Sequence, residues 1–155
     1  MESGLTEKVS LKKLLGYGNL IESSTYSTLL GYMMQGAKTV NVPIGTIAEL
    51  DRRKMAQKAG EKLMSKTATL NNKGIELEKA GKIRSAIKVY ETNISLGYPA
   101  HHAYKRLMVL YHKAKDFENE ARVIRKALDV FEKYPEYELR LQKLISDGKV
   151  LQDGD

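Results

Sequence analysis

The sequence predicts an all-α fold in which short helices stack in pairs between flanking helices, behind an N-terminal arm. Only three prolines interrupt the 155 residues, so long helices are permitted. From Thr46 onward, apolar residues recur at helical spacing. The apolar pattern of the second half also repeats after about 34 residues, a period expected of a two-helix unit that buries its apolar face against a copy of itself.

The first 45 residues are predicted to form an N-terminal arm or a small irregular helical subdomain (1–45). A short helix is expected over Leu11–Leu15, capped by Ser10, and a second over about Thr25–Gln35. The β-prone run Thr39–Ile44 is expected to stand alone, because no partner strand is visible. Since this arm carries few charges, it is also a candidate surface for contact with a second copy of the chain.

A helical domain is predicted over residues 46–148. Its first helix is expected from Thr46 to Lys66, with Thr46 and Glu49 forming a capping box. The apolar side of this helix, which is predicted to be buried, carries Met55, Ala59 and Leu63. About 100° around the helix lies a basic stripe, formed by Lys54, Lys58, Lys62 and Lys66.

Two consecutive repeats are predicted over residues 67–100 and 101–134. A shift by one period, termed here the repeat interval, superimposes apolar positions of the two copies, among them Leu70 on Tyr104, Leu77 on Tyr111, Ile83 on Phe117 and Tyr90 on Ile124. Because two units alone do not close such a core, a C-terminal capping helix is predicted over 135–147. A flexible tail is expected over 149–155.

The segment GIELEKAGKIRSAIKVYETNISLGYP resembles a tetratricopeptide repeat. Gly74 matches the small residue where the two helices of a repeat cross, Gly81 the turn glycine, and Tyr90 an aromatic of the second helix. The second copy supplies Tyr104, Leu107, Tyr111, Phe117 and Ala127 at family positions. It departs from the family where Glu120 replaces the usual alanine. The resemblance implies stacked helix pairs with a concave groove that binds a peptide or protein.

In the family, the first helix of each repeat lines the groove. Carried over to this chain, the implied groove residues are Asn71, Asn72, Glu78, Lys79, His102, Lys105, Arg106, His112 and Lys113. Ile75 and Val109 stand where a carboxylate clamp presents asparagine, so a basic groove for an acidic or C-terminal peptide is expected instead of a complete clamp. The alternative for these lysines and arginines is that they are only solvated.

The charge distribution supports a second hypothesis. The net charge is +7. Between Arg52 and Lys88, eleven basic residues face three acidic ones. This region, including the lysine stripe, is a candidate phosphate-binding surface of a nucleic-acid-associated accessory protein. No aromatic residues interleave the lysines for base stacking, so the protein-binding adaptor is the leading interpretation.

Composition and motifs exclude several other classes of function. The chain has no cysteine, which rules out disulfide scaffolds and thiolate metal sites. The histidines His101, His102 and His112 lack the spacing of a metal site, and no phosphate loop or nucleophile motif occurs. We therefore expect no enzymatic activity and no cofactor. No secretory signal or membrane-spanning run is visible, which predicts a cytoplasmic protein without a membrane partner.

Overall fold

A computed structural model of the chain describes residues 4–152, and this part is 71% helical with one two-stranded sheet. The fold is therefore all-α, as the sequence predicts. The chain divides into two compact units, the first ending at Glu61 and the second beginning at Lys62. Within the described residues, no helix is long and apolar enough to cross a membrane. The ends of the predicted arm (1–3) and tail (153–155) lie outside the described residues.

The first unit combines short helices with a pair of strands. In chain order its elements are β1 (Thr6–Ser10), α1 (Leu11–Leu15), a 3-10 helix (Gly18–Leu20), α2 (Ser23–Met34), β2 (Thr39–Pro43) and the start of α3 (Thr46–Lys79). Its core is formed by the buried side chains of Leu11, Leu14, Tyr17, Ile21, Leu29 and Leu50. The hydroxyl of Tyr17 donates to the carboxylate of Asp51 at 2.6 Å.

The prediction of an isolated strand at Thr39–Ile44 is wrong. Strand β2 pairs antiparallel with β1, with Val40 opposite Val9. Both valines pack against the core of the first unit, which supports a sheet too small to be stable alone. Ser10 then ends β1 and caps α1 by accepting a hydrogen bond from the Lys13 amide at 3.3 Å. The first unit is thus more regular than the irregular arm that the sequence suggests.

Helix α3 runs without interruption from Thr46 to Lys79, so the predicted helix end at Lys66 is wrong. No proline or turn sequence separates the two predicted helices, and the helix continues. The capping box is also wrong. The Thr46 hydroxyl donates to the Pro43 carbonyl at 2.6 Å, and the Glu49 carboxylate accepts from Arg52 instead of turning back to the helix start.

The apolar side predicted to be buried in the first half of α3 is exposed. Met55 is 73% exposed, Ala59 is exposed, and only Leu63 is half-buried. Leu50 is the last α3 side chain that is buried in the first unit, and Thr67 is the first that is buried in the second. Residues 51–62 are all exposed, although Asp51 accepts a hydrogen bond from the Tyr17 hydroxyl and Arg53 donates one to the Leu20 carbonyl.

The second unit consists of the end of α3 followed by four helices. These are α4 (Ile83–Ser95), α5 (His101–Lys113), α6 (Phe117–Val130) and α7 (Pro135–Ser146). The start of α4 precedes that of α6 by one repeat interval, and the start of α5 precedes that of α7 by the same interval. The turn residues Gly81 and Lys115, separated in the same way, both have positive φ, at 74° and 57°. The repeat interval of the sequence therefore recurs in the helix bounds.

The two mid-helix glycines of α3 have different surroundings. A Cβ on Gly74 would lie 2.4 Å from the ring of Tyr90 in α4, so only glycine admits this fully buried tyrosine. The Tyr90 hydroxyl donates to the Glu78 carboxylate at 2.7 Å. A Cβ on Gly60 would meet nothing within 4 Å. Packing inside the chain thus explains Gly74 but not Gly60.

We expect opposite effects from the same substitution at these two positions. Gly74→Ala should lower the free energy of unfolding by about 2 kcal/mol, because the added methyl group overpacks against Tyr90. Gly60→Ala should raise it by about 1 kcal/mol, because alanine favours helix and meets open space. Urea unfolding followed by circular dichroism measures both. Equal effects would contradict the packing described for Gly74.

Candidate functional site

A cleft of about 430 Å³ lies between α5 and α7. It is lined by Lys105, Met108, Val109, Glu136, Tyr137, Leu139, Arg140 and Lys143. Leu139 is 65% exposed there. Three cations, those of Lys105, Arg140 and Lys143, line the cleft with Leu139, together with the carboxylate of Glu136. The cleft therefore combines an accessible apolar contact with positive charge.

Arg140 is held in the wall of the cleft by a buried carboxylate. Glu120 is fully buried and accepts a hydrogen bond from Nε of Arg140 at 2.9 Å. A second guanidinium nitrogen of Arg140 donates to the Met108 carbonyl at 3.1 Å. On the other side, Nδ1 of His112 lies 2.8 Å from Glu120. These contacts fix the direction of the Arg140 side chain before any ligand arrives.

The first turn of α6 explains why a carboxylate is tolerated in the core at Glu120. Asp116 caps this helix by accepting a hydrogen bond from the Asn119 amide at 3.2 Å. Glu120 then lies close to the helix N-terminus, where the helix dipole stabilises negative charge. In α4, the position one repeat interval earlier is Ala86, which is also fully buried. The departure from the family pattern at Glu120 is thus the residue that anchors Arg140.

A second polar cluster connects α3, α4 and α5. Glu78 accepts hydrogen bonds from Arg106 at 3.1 and 2.5 Å, and from the Tyr90 hydroxyl at 2.7 Å. The Arg106 guanidinium holds the pKa of Glu78 below its ordinary value. His102 packs edge-on against Tyr90, with ring centroids 5.7 Å apart, and burial lowers the pKa of its imidazole. The side chains of this cluster therefore stabilise the packing between the three helices.

The structure separates the predicted groove residues into several groups. Glu78, His102 and Arg106 meet around Tyr90, and Lys105 lies in the α5–α7 cleft. Asn71 accepts a hydrogen bond from buried Asn93 at 2.6 Å, and His112 binds Glu120. Exposed side chains without a role in either cluster are those of Asn72, Lys79 and Lys113. Those of the lysine stripe, Lys54, Lys58, Lys62 and Lys66, are also exposed.

The predicted groove does not include Leu139, Arg140 and Lys143, because α7 is predicted only as a capping helix. The signal that identifies them is the repeat interval, which carries Lys105, Arg106 and Val109 onto these three positions. Lys105 itself makes an ion pair with Glu136 at 3.5 Å and lies over the Tyr134 ring. Lys143 has no ion-pair partner among residues 4–152, and its charge is available to a ligand. In the same range, no group of three or more acidic or histidine side chains is arranged to hold a metal ion.

Removing the buried carboxylate of Glu120 should destabilise the second unit. Glu120→Ala leaves Arg140 and His112 without their acceptor, and we expect a loss of about 3 kcal/mol in the free energy of unfolding. Glu118→Ala, two residues earlier in the same helix and exposed, should change it by about 0.5 kcal/mol or less. Chemical denaturation measures the difference, and similar values for both variants would contradict the anchoring role.

The ion pair of Glu78 predicts a dependence of stability on pH. Its pKa is lowered in the folded protein, so its contribution is present above the ordinary value of 4.5 and is lost as the pH falls through the lowered value. Glu78→Gln should cost about 1 kcal/mol near pH 7, and this difference should shrink below pH 4.5. Unfolding curves for both proteins from pH 7 to 3 test this, and a constant difference would contradict it.

Comparison with known proteins does not identify a function, so the interpretation of the site depends on its geometry. No protein-family model matches the chain, and no curated protein matches it. The resemblance of Gly74 and Tyr90 to a tetratricopeptide pattern therefore stays a prediction from the sequence. The cleft between α5 and α7 provides the chemistry on which a function is proposed.

Proposed function

We propose that this protein is a noncatalytic, cytoplasmic adaptor that binds a peptide or protein partner in the α5–α7 cleft. The observation that carries the proposal is Leu139, an apolar side chain left 65% exposed among cations. Apolar patches rimmed by polar residues mark sites for other macromolecules, and Leu139 shares the lining of the cleft with Val109. The anchored Arg140 gives such a site a fixed donor, which favours binding because less side-chain freedom is lost.

The chemistry of the cleft favours a partner with a carboxylate next to an apolar side chain. Burying a leucine-sized group contributes about 1.5–3 kcal/mol, so contact with Leu139 and Val109 supplies affinity. The exposed cations contribute less to affinity and more to the choice and orientation of the ligand. Lys143 makes no ion pair within residues 4–152, so an aspartate, a glutamate or a chain-terminal carboxylate is the complementary group.

Membership of the tetratricopeptide class is part of the same proposal. It is supported by the repeat interval that separates the start of α4 from that of α6, and the start of α5 from that of α7. The close packing of Tyr90 on Gly74 agrees with the small residue that the family has where helices cross. On this interpretation, α7 is the first helix of a third pair, and its exposed side extends the groove.

The alternative is a nucleic-acid partner for the basic region between Arg52 and Lys88. The observation in its favour is that the four lysines of the stripe are exposed. The affinity of such binding falls steeply as the salt concentration rises, and it does not depend on neighbouring apolar side chains. The experiment on the cleft separates the two hypotheses, because binding of a peptide there depends on the apolar side chain of Leu139.

A displayed library of random dodecapeptides, selected on the full chain, tests the cleft. The wild-type protein should enrich peptides that carry Asp or Glu beside Leu, Ile or Phe. Leu139→Asp should weaken binding of an enriched peptide by about tenfold or more, since it removes the apolar contact and adds a repelling charge. Lys143→Glu should remove the preference for acidic residues.

The matched control is Lys88→Glu, the same charge change on an exposed residue of α4 outside the cleft. This variant should bind the enriched peptide as the wild-type protein does. Because Leu139 and Lys143 are exposed, their variants should keep the wild-type helical signal. Unchanged enrichment in Leu139→Asp would contradict the proposal.

A further inference from the structure

The first unit contains a cavity of about 250 Å³, termed here the core cavity, where α1, α2, β2 and the start of α3 meet. Protein interiors are packed as densely as organic crystals and have few voids larger than a water molecule. A cavity of this size is therefore a departure from ordinary core packing. Its apolar lining consists of Leu14, Ile21, Leu29, Val42 and Leu50.

The lining of the core cavity is suited to hydrocarbon and not to water. Its leucines and Ile21 are buried members of the core of the first unit. A buried water molecule needs about two to four polar partners, whereas an apolar cavity of about 150 Å³ stays dry and binds benzene. The core cavity is larger and therefore has room for a chain of about eight carbons. Its polar lining residues are exposed or half-buried and so lie at its opening: Glu22, Thr25, Thr46 and Arg53.

A larger cleft of about 770 Å³, termed here the outer cleft, adjoins this opening. The outer cleft and the core cavity share Ile21, Glu22 and Arg53 as lining residues. Ligand sites typically combine an apolar interior with a few polar groups that fix the orientation of the ligand. The two spaces together have this arrangement, with hydrocarbon inside and polar groups outside. The other residues of the outer cleft are Gly18, Asn19, Leu20, Ser23, Tyr26 and Ser27.

The charges at the junction of the two spaces indicate the class of ligand. The Arg53 guanidinium donates to the Leu20 carbonyl and to the Glu49 carboxylate, each at 3.3 Å, so its position is fixed. Glu49 also pairs with Arg52. Together with Glu22, these two arginines and two glutamates have no net charge. An ionic head group would therefore meet a like charge as well as an opposite one.

A neutral head group suits this junction better than an ion. A hydroxyl can both donate to the carboxylate of Glu22 and accept from the guanidinium of Arg53. Removing an ion from water costs more than removing a hydroxyl that finds a hydrogen bond. We propose that the first unit binds an uncharged amphiphile, whose chain or ring of about eight carbons fills the core cavity and whose hydroxyl or amide group lies at this junction.

The probes for this proposal are 1-octanol, octanoate and octylammonium, which share one chain and differ in the charge of the head group. Methyl NMR titration of the full chain locates binding at the signals of Leu29, Val42 and Leu50. 1-Octanol should shift these signals until they saturate, and should bind at least about fivefold more tightly than either ion. The signals of Leu107 and Val123, which are buried in the second unit, should not move.

Thr25→Phe places a ring at the opening of the core cavity from an exposed position of α2, and should weaken 1-octanol binding by about tenfold or more. The matched control is Thr28→Phe, the same substitution on an exposed residue of the same helix that lines neither space. It should change the affinity by no more than about twofold. Because both positions are exposed, both variants should keep the wild-type circular dichroism.

A charge change at the junction tests the choice of head group separately. Glu22→Gln leaves the arginines in excess, so the affinity for octanoate should rise by about threefold or more. The affinity for 1-octanol should stay within about twofold of the wild-type value. Leu139→Asp in the α5–α7 cleft should leave 1-octanol binding unchanged, because that cleft belongs to the second unit.

Several results would overturn the proposal. Tighter binding of octanoate or octylammonium than of 1-octanol by the wild-type protein would assign the site to an ion. Shifts that spread over both units without saturating, or equal losses in Thr25→Phe and Thr28→Phe, would show adsorption to the surface and not binding in the core cavity. Loss of binding in Leu139→Asp would move the site to the α5–α7 cleft.

Discussion

The packing of Tyr90 is the interaction on which the contacts among α3, α4 and α5 depend. Its ring fills the space left by Gly74 of α3, and its hydroxyl reaches Glu78 on the same helix. Glu78 in turn binds Arg106 of α5, whose neighbour His102 packs edge-on against the tyrosine ring. One buried aromatic thus joins three helices by close packing and by a charged hydrogen bond. The side chains of this arrangement do not line the α5–α7 cleft, which is the surface proposed to bind a ligand.

Two arginines at equivalent repeat positions are neutralised by carboxylates from different helices of this unit. Arg106 and Arg140 are one repeat interval apart, and each binds a carboxylate. Glu78 of α3 supplies the first, but the residue one repeat interval after it is His112, so Glu120 of α6 supplies the second. The exchange turns Arg140 toward the α5–α7 cleft while Arg106 stays in the helix interface. Two similar positions therefore take their carboxylate partners from different helices.

The sequence predicted the parts of the fold that depend on local spacing. The helix starts at Leu11 and Pro135, and the turns at Gly81 and Lys115, follow from capping and from the repeat period. It could not predict the pairing of β1 with β2, because that contact joins distant segments and only one of them is recognisably β-prone. The candidate site was predicted in part. Lys105 lies in the cleft, but the ion pairs that commit Arg106 and His112 depend on carboxylates from other helices.

Glu120 also bears on how reliably the chain assembles. Helix pairs of similar shape can stack in a shifted order, because their apolar surfaces resemble one another. A shift that brought α6 against a helix without Arg140 would leave a buried carboxylate with no partner, which is strongly unfavourable. Ala86, the residue at the same position in α4, carries no such requirement. The single acidic side chain therefore makes the two helix pairs non-interchangeable and discriminates against a misaligned fold.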